Sequence, residues 1–157
     1  MPLFFEFKLG EHGWADAVFG DDTGRANLTA SYLSDALGDL VRAVHSALIG
    51  TDSECSWDAE PEEYRWCFSR IGDTTTVAVL GFEDASAELP RQYGNVLFKA
   101  TVPAIEIARV IEQGARSVLD EFGMDGYERR WERHPFPLRD LDQLRAAIQT
   151  IDAGGSR

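Results

Sequence analysis

Lysine is nearly missing from this chain. Only Lys8 and Lys99 occur, and the other thirteen of its 15 basic residues are arginine. Against 27 acidic residues they leave a net charge of −12. Gripping DNA, RNA or an anionic membrane through a general field takes clustered cations, so no nucleic-acid and no membrane partner is expected. Cysteine is scarce as well: Cys55 and Cys67 do not make a disulfide framework. His12, His45 and His134 have no His or Cys three to five residues away, and there is neither a Cys-x-x-Cys nor a His-Glu-x-x-His. Without ligands at such spacings, no metal and no cofactor is expected. A Gly-x-Ser-x-Gly elbow is absent too. Gly20 and Gly24 lie between strand patterns, with no Gly-Lys-Ser/Thr after them, and read as a turn rather than a phosphate loop. No apolar run approaches the roughly 18 to 20 residues of a membrane span. Met1 to Glu6 lacks the basic opening of a secretory signal. The expectation is a cytoplasmic chain with reduced thiols.

What is present points to one packed domain. A chain of 157 residues has the size of a single domain. At that length roughly 70% of the unfolded surface is buried on folding. Four Trp, four Tyr and nine Phe supply the apolar area. The expected domain spans residues 1–152, followed by a flexible tail over 153–157. The acidity is uneven. Residues 1–63 hold thirteen acids against three bases, whereas residues 64–157 hold fourteen against twelve.

Periodicity sets the expected elements. Leu3, Phe5, Phe7 and Leu9 alternate with Phe4, Glu6 and Lys8, which is a half-buried strand. Trp14–Phe19 and Arg25–Ala30 continue a meander through turns at Gly10–Gly13 and Gly20–Gly24. Leu33, Leu37, Leu40, Val41, Val44 and Leu48 form one helical stripe, with Ser31 as N-cap and Gly50 just past the end. Residues 54–69 read as a hairpin with a type I turn at Glu60-Pro61-Glu62-Glu63. That turn sets Trp57 opposite Trp66 and Cys55 opposite Phe68. It puts the large apolar side chains on one face and Cys67 with Arg65 on the other, so a Cys55–Cys67 bond is not expected. Thr74–Glu83 and Asn95–Val102 are further strands, joined by a polar loop over Ala85–Gly94. A helix follows Pro103 and ends at Gly123. An aromatic-rich connection runs from Met124 to Pro137, and a last helix carries Leu138, Leu141, Leu144, Ile148 and Ile151.

The order is βββ-α-ββββ-α-α. Runs of strands with short turns, not alternation with helices, predict an α+β fold. The expected core is an antiparallel meander sheet of about six or seven strands packed against two or three helices, with the three opening strands and the four later ones in one sheet or two.

Two groups of residues are candidates for function. Asp58, Glu60, Glu62 and Glu63 crowd the tip of one hairpin, where four carboxylates suit a basic protein partner. Tyr127, Arg130, Trp131 and His134 sit in the aromatic connection, where they suit the wall of a small-molecule pocket with His134 as a base. The acidic hairpin makes a non-catalytic, protein-binding module the leading reading. A small-ligand binder or enzyme at the second group is the alternative. The polar alternation of the strands also allows a homodimer through a sheet face or edge.

Three stretches carry a resemblance: Ser31-Tyr32-Leu33-Ser34-Asp35-Ala36-Leu37, Glu60-Pro61-x-x-Tyr64-Arg65-Trp66, and Gly126-Tyr127 with Trp131 and Pro135-Phe136-Pro137. With the Arg-for-Lys usage, they resemble small bacterial proteins of high-GC, actinobacterial-type genomes to which no activity is attached. In size, acidity and α+β layout the chain is also loosely similar to toxin-immunity proteins. That likeness implies a basic toxin domain as partner.

Overall fold

The computed structural model describes residues 2–154. It is α+β, with three helices and two antiparallel sheets. The strands β1 (Phe4–Leu9), β2 (Trp14–Asp21) and β3 (Gly24–Ser31) form a three-stranded sheet in the order β1-β2-β3. The strands β4 (Ser53–Asp58), β5 (Glu63–Ile71), β6 (Thr74–Phe82) and β7 (Asn95–Val102) form a second meander in the order β4-β5-β6-β7. The meander, which the sequence leaves open as one sheet or two, is therefore two sheets. The break falls at helix α1 (Ala36–Leu48), which separates β3 from β4 in the chain.

The two sheets meet through their aromatic faces. Period-two alternation in β1 buries Phe5, Phe7 and Leu9 and leaves Glu6 and Lys8 exposed. Alternation in β5 buries Trp66 and Phe68 on the inner face. Trp66 lies 5.0 Å from Phe19, 5.3 Å from Trp57 and 6.0 Å from Phe5, ring centre to ring centre. Phe7 stands edge-on to Trp57 at 5.8 Å, and the Trp57 indole N–H donates to the Ala36 carbonyl at 2.8 Å. This last bond satisfies a polar atom that burial would otherwise strand.

The helices close the remaining sides. Helix α1 packs on β4, and helix α2 (Ala104–Trp131) packs on β1. Helix α3 (Leu138–Gly154) lies against both helices. At Gly114 the backbone of α2 comes so close to β1 that a Cβ there would sit 2.5 Å from the Phe5 ring and 3.0 Å from its carbonyl.

Several sequence expectations need correction. Helix α1 starts at Ala36, not after Ser31: Ser31 ends β3, and Leu33 is 46% exposed rather than part of the buried stripe. The hairpin register is Trp57 opposite Tyr64 and Cys55 opposite Trp66. The turn closes one residue earlier than a type I turn at Glu60 would, with Asp58 opposite Glu63 and the Ala59 N–H donating to the Glu62 carbonyl. The Glu60–Pro61 bond there is cis. The offset is two residues, so side chains keep the faces that alternation gave them. Cys55 packs against the main core, Cys67 lies in a separate outer cluster with Leu80 and Phe82, and both are free thiols. The helical run after Pro103 does end at Gly123, as expected, but the connection expected after it is a second helical stretch within α2. That glycine breaks it at φ 69°, ψ 176°, and helix resumes to Trp131. Of the expected tail, Ala153 and Gly154 belong to α3, and 155–157 lie outside the described residues.

The centre of the inter-sheet cluster predicts the stability of the whole. Trp66→Ala should cost about 3–5 kcal/mol, read as a lowered urea midpoint at unchanged slope. A loss under about 1 kcal/mol would contradict the packing described.

Candidate functional site

The aromatic connection supplies core. Tyr127 and Trp131 are four residues apart on one helical face and are fully buried. Tyr127 meets Phe136 edge-on at 5.2 Å, and Trp131 meets Phe7 at 6.2 Å. Arg130 ties α2 to the β1–β2 turn: it donates to the Gly10 carbonyl at 3.3 Å and lies 3.7 Å from Glu11. Its guanidinium also covers the Phe122 ring at 4.8 Å. His134 is half-buried in the bend after α2. None of these four residues lines any of the clefts named below. The i, i+4 spacing of Tyr127 and Trp131 was the legible sign of a buried helical face. Among the described residues, no three His, Cys, Asp or Glu side chains are grouped to hold a metal ion.

The acidic hairpin does border a cleft. Asp58 and Glu63 form its last cross-strand pair, while Glu60 and Glu62 are exposed in the turn. The cleft opens on the outer face of the second sheet, with a volume of about 600 Å³. Glu54, Ser56 and Asp58 come from β4, and Glu63 and Arg65 from β5. Leu33 and Ser34, ahead of α1, form one wall; Ala85, Glu88 and Leu89 form the opposite one. That opposite wall is the expected polar loop, made of two short 3-10 turns at Ala85–Ala87 and Arg91–Tyr93. It is fastened by the Ala85 N–H donating to the Pro61 carbonyl at 2.7 Å and by an Arg91–Glu54 ion pair.

The floor is a buried ion pair. Arg65 Nε donates to Glu63 Oε2 at 3.0 Å and Nη2 to Oε1 at 3.1 Å, a two-pronged fit. Arg65 Nη1 donates to the Leu89 carbonyl at 3.0 Å, and Ser56 Oγ donates to Glu63 Oε2 at 2.7 Å. The Arg65 guanidinium also lies 4.3 Å from the centre of the Phe82 ring. With Glu63 neutralised by Arg65 and Glu54 by Arg91, two lining carboxylates remain without an ion-pair partner among the described residues: Asp58 and Glu88. Exposed Leu33 and Leu89, at 46% and 40%, stand on the two walls. A cation on an aliphatic stem matches this surface: the head meets carboxylates and the stem meets leucine.

A second cleft, of about 500 Å³, follows the seam of β1 and α2. It is lined by Glu6, Lys8 and Glu121 with Val118 and Phe122. Lys8 and Glu6 are paired there at 3.2 Å, which leaves Glu121 as its one carboxylate without an ion-pair partner among the described residues. Neither cysteine offers a nucleophile. Burial pushes both thiols up, so neither ionises near neutral pH.

Sequence reasoning reached Asp58 and Glu63 but missed Glu54, Ser56, Arg65 and Glu88 as companions. Strand alternation places Ser56 and Arg65 on the polar face of the hairpin, which was readable. That the loop folds back over this face was not. No protein-family model and no curated protein matches the chain.

Two measurements check this geometry. Arg65→Leu strands Glu63 and should cost about 3–5 kcal/mol, while Glu63→Leu/Arg65→Leu should recover most of it; denaturant unfolding of both variants decides. The Tyr127 hydroxyl is buried with no hydrogen-bond partner among the described residues. Its acidity is held well below that of an ordinary phenol, first by burial and then by the Asp35 charge. A raised folded-state pKa gives stability that is complete below the unfolded value of about 10 and is lost as pH rises past it. Tyr127→Phe should therefore keep neutral-pH stability and show an alkaline limb shallower by up to about 1.4 kcal/mol per pH unit. Identical alkaline limbs would place Tyr127 in water.

Proposed function

We propose that this protein is a non-catalytic binding module that receives a basic segment of a protein partner at the acidic cleft. The observation that carries the reading is the pair of unneutralised carboxylates, Asp58 and Glu88, lining a cleft whose exposed Leu33 and Leu89 suit the stem of a Lys or Arg side chain. Glu60 and Glu62, exposed in the adjoining turn, add to the attractive field without lining the cleft. The net charge of −12 speeds encounter with a basic partner and makes it salt-dependent. The floor pair Glu63–Arg65 serves as a fixed base that holds the hairpin and the 84–94 loop at one spacing. A toxin domain neutralised by an immunity-like partner is one instance of this reading.

The test uses the full chain and fluorescent arginine-rich and lysine-rich peptides, read by anisotropy at low and high salt. Binding should appear at low salt and weaken with salt. Asp58→Asn/Glu88→Gln should weaken it by roughly tenfold, whereas Glu106→Gln, on a remote helix, should leave it within about twofold. Equal weakening by both variants would reduce the effect to net charge and defeat the cleft assignment.

A further inference from the structure

All four outer strands touch an element beyond their own sheet neighbour. β1 lies against α2, β4 against α1, and β3 runs to β4 and β7. β7, which β3 touches, is the most exposed of the four. Its backbone makes no hydrogen bond to a described residue other than those to β6, and of its eight residues only Phe98 is buried. The neighbourhood is apolar, with Tyr93 63%, Val96 61% and Leu97 37% exposed. It is also the longest stretch without an acid: residues 89–105 contain no Asp or Glu. In a chain of net charge −12, this is where a second copy meets the least repulsion. An exposed, apolar edge without acidic residues can template pairing with another strand.

One charge stands in the way. Lys99 sits near the middle of β7, exposed, with no ion-pair partner among the described residues. The chain's other lysine, Lys8, lies on β1, whose edge α2 already flanks, and there it is neutralised by Glu6 at 3.2 Å. Phe98, Ala100 and Val102 face the core, so Lys99 and Thr101 face outward. An antiparallel continuation of the sheet into a second copy must put outward residues opposite outward residues. The two registers with the fullest overlap put Lys99 either directly opposite Lys99 of the second copy, at about 5 Å, or on the diagonal, at about 7–8 Å. Either way two ammonium groups face each other. The register shift in the β6–β7 ladder at Val79/Leu80 adds a local bend to the same edge.

We infer that the β7 edge is a surface for pairing with the β7 of a second copy, and that the like charge of Lys99 holds the pairing off. This surface is separate from the acidic cleft and does not depend on the binding reading above.

Sedimentation of the full chain across a concentration series tests it. Wild type and Lys99→Glu should each stay monomeric, because each presents like charges to itself. Lys99→Val should associate roughly tenfold more tightly than wild type. Lys8→Val should behave as wild type. An equimolar mixture of wild type and Lys99→Glu should form a heterodimer that dissociates at high salt. Because Lys99 is exposed, all variants should keep the wild-type circular dichroism spectrum, which confirms folding before each run. Monomeric Lys99→Val together with a non-associating mixture overturns the inference. So does a wild-type dimer, or equal association of Lys8→Val and Lys99→Val.

Discussion

The contact between Trp57 and Trp66 is the interaction on which the rest of this structure rests. Both indoles are fully buried, 5.3 Å apart, on neighbouring strands of the second sheet. From the first sheet Phe5 and Phe19 close on Trp66 and Phe7 closes on Trp57. Aromatic residues of this size bury large areas and prefer edge-on or tilted contacts. Interdigitation of that kind fixes the spacing of two sheets that share no hydrogen-bonded ladder. The Trp57 indole also anchors the start of α1 through the Ala36 carbonyl, so the same cluster positions the first helix.

Because one face of the second sheet is committed to that core, its other face is free for polar work. Alternation along β4 and β5 then sends Glu54, Ser56, Glu63 and Arg65 outward together. The Glu63–Arg65 pair is nearly as buried as the core, although it lies on the outer face, because the 84–94 loop folds over it. Desolvation makes such a pair a poor source of net stability but a specific one, since it accepts only a narrow geometry. It fixes the hairpin to the loop, and the cleft exists because that distance is fixed. At the other border of the sheet, β7 is mostly exposed, with Phe98 its one buried residue.

Much of the local structure was legible in the chain. The period-two pattern of Leu3 to Leu9, the β-branched run from Thr74, the strand at Asn95–Val102 and the helical stripe beginning at Leu37 all correspond to observed elements. The separation of Cys55 from Cys67 followed from parity alone and survived a register error of two residues. Less legible was the stretch after Gly123. Its glycine, charges and prolines look like a connection, yet Tyr127 and Trp131 resume the helix because their i, i+4 spacing gives them one face to bury. Leu33 failed in the opposite sense: it fits the helical stripe by count, but the helix begins three residues later and leaves it in solvent.

The sequence by itself determined the α+β class, the order of elements, the face on which each strand residue lies, and the concentration of acid near the Asp58–Glu63 hairpin. These depend on periods of two and 3.6 and on residue type, which act over a few positions. Only the tertiary structure decided that seven strands make two sheets, that Tyr127 and Trp131 are core, and that Glu54 and Glu88 join Asp58 around one cleft. It also decided which outer strand is most exposed. Those outcomes depend on contacts between residues far apart in the chain, set by which large side chains pack together most closely, and no local pattern encodes that competition.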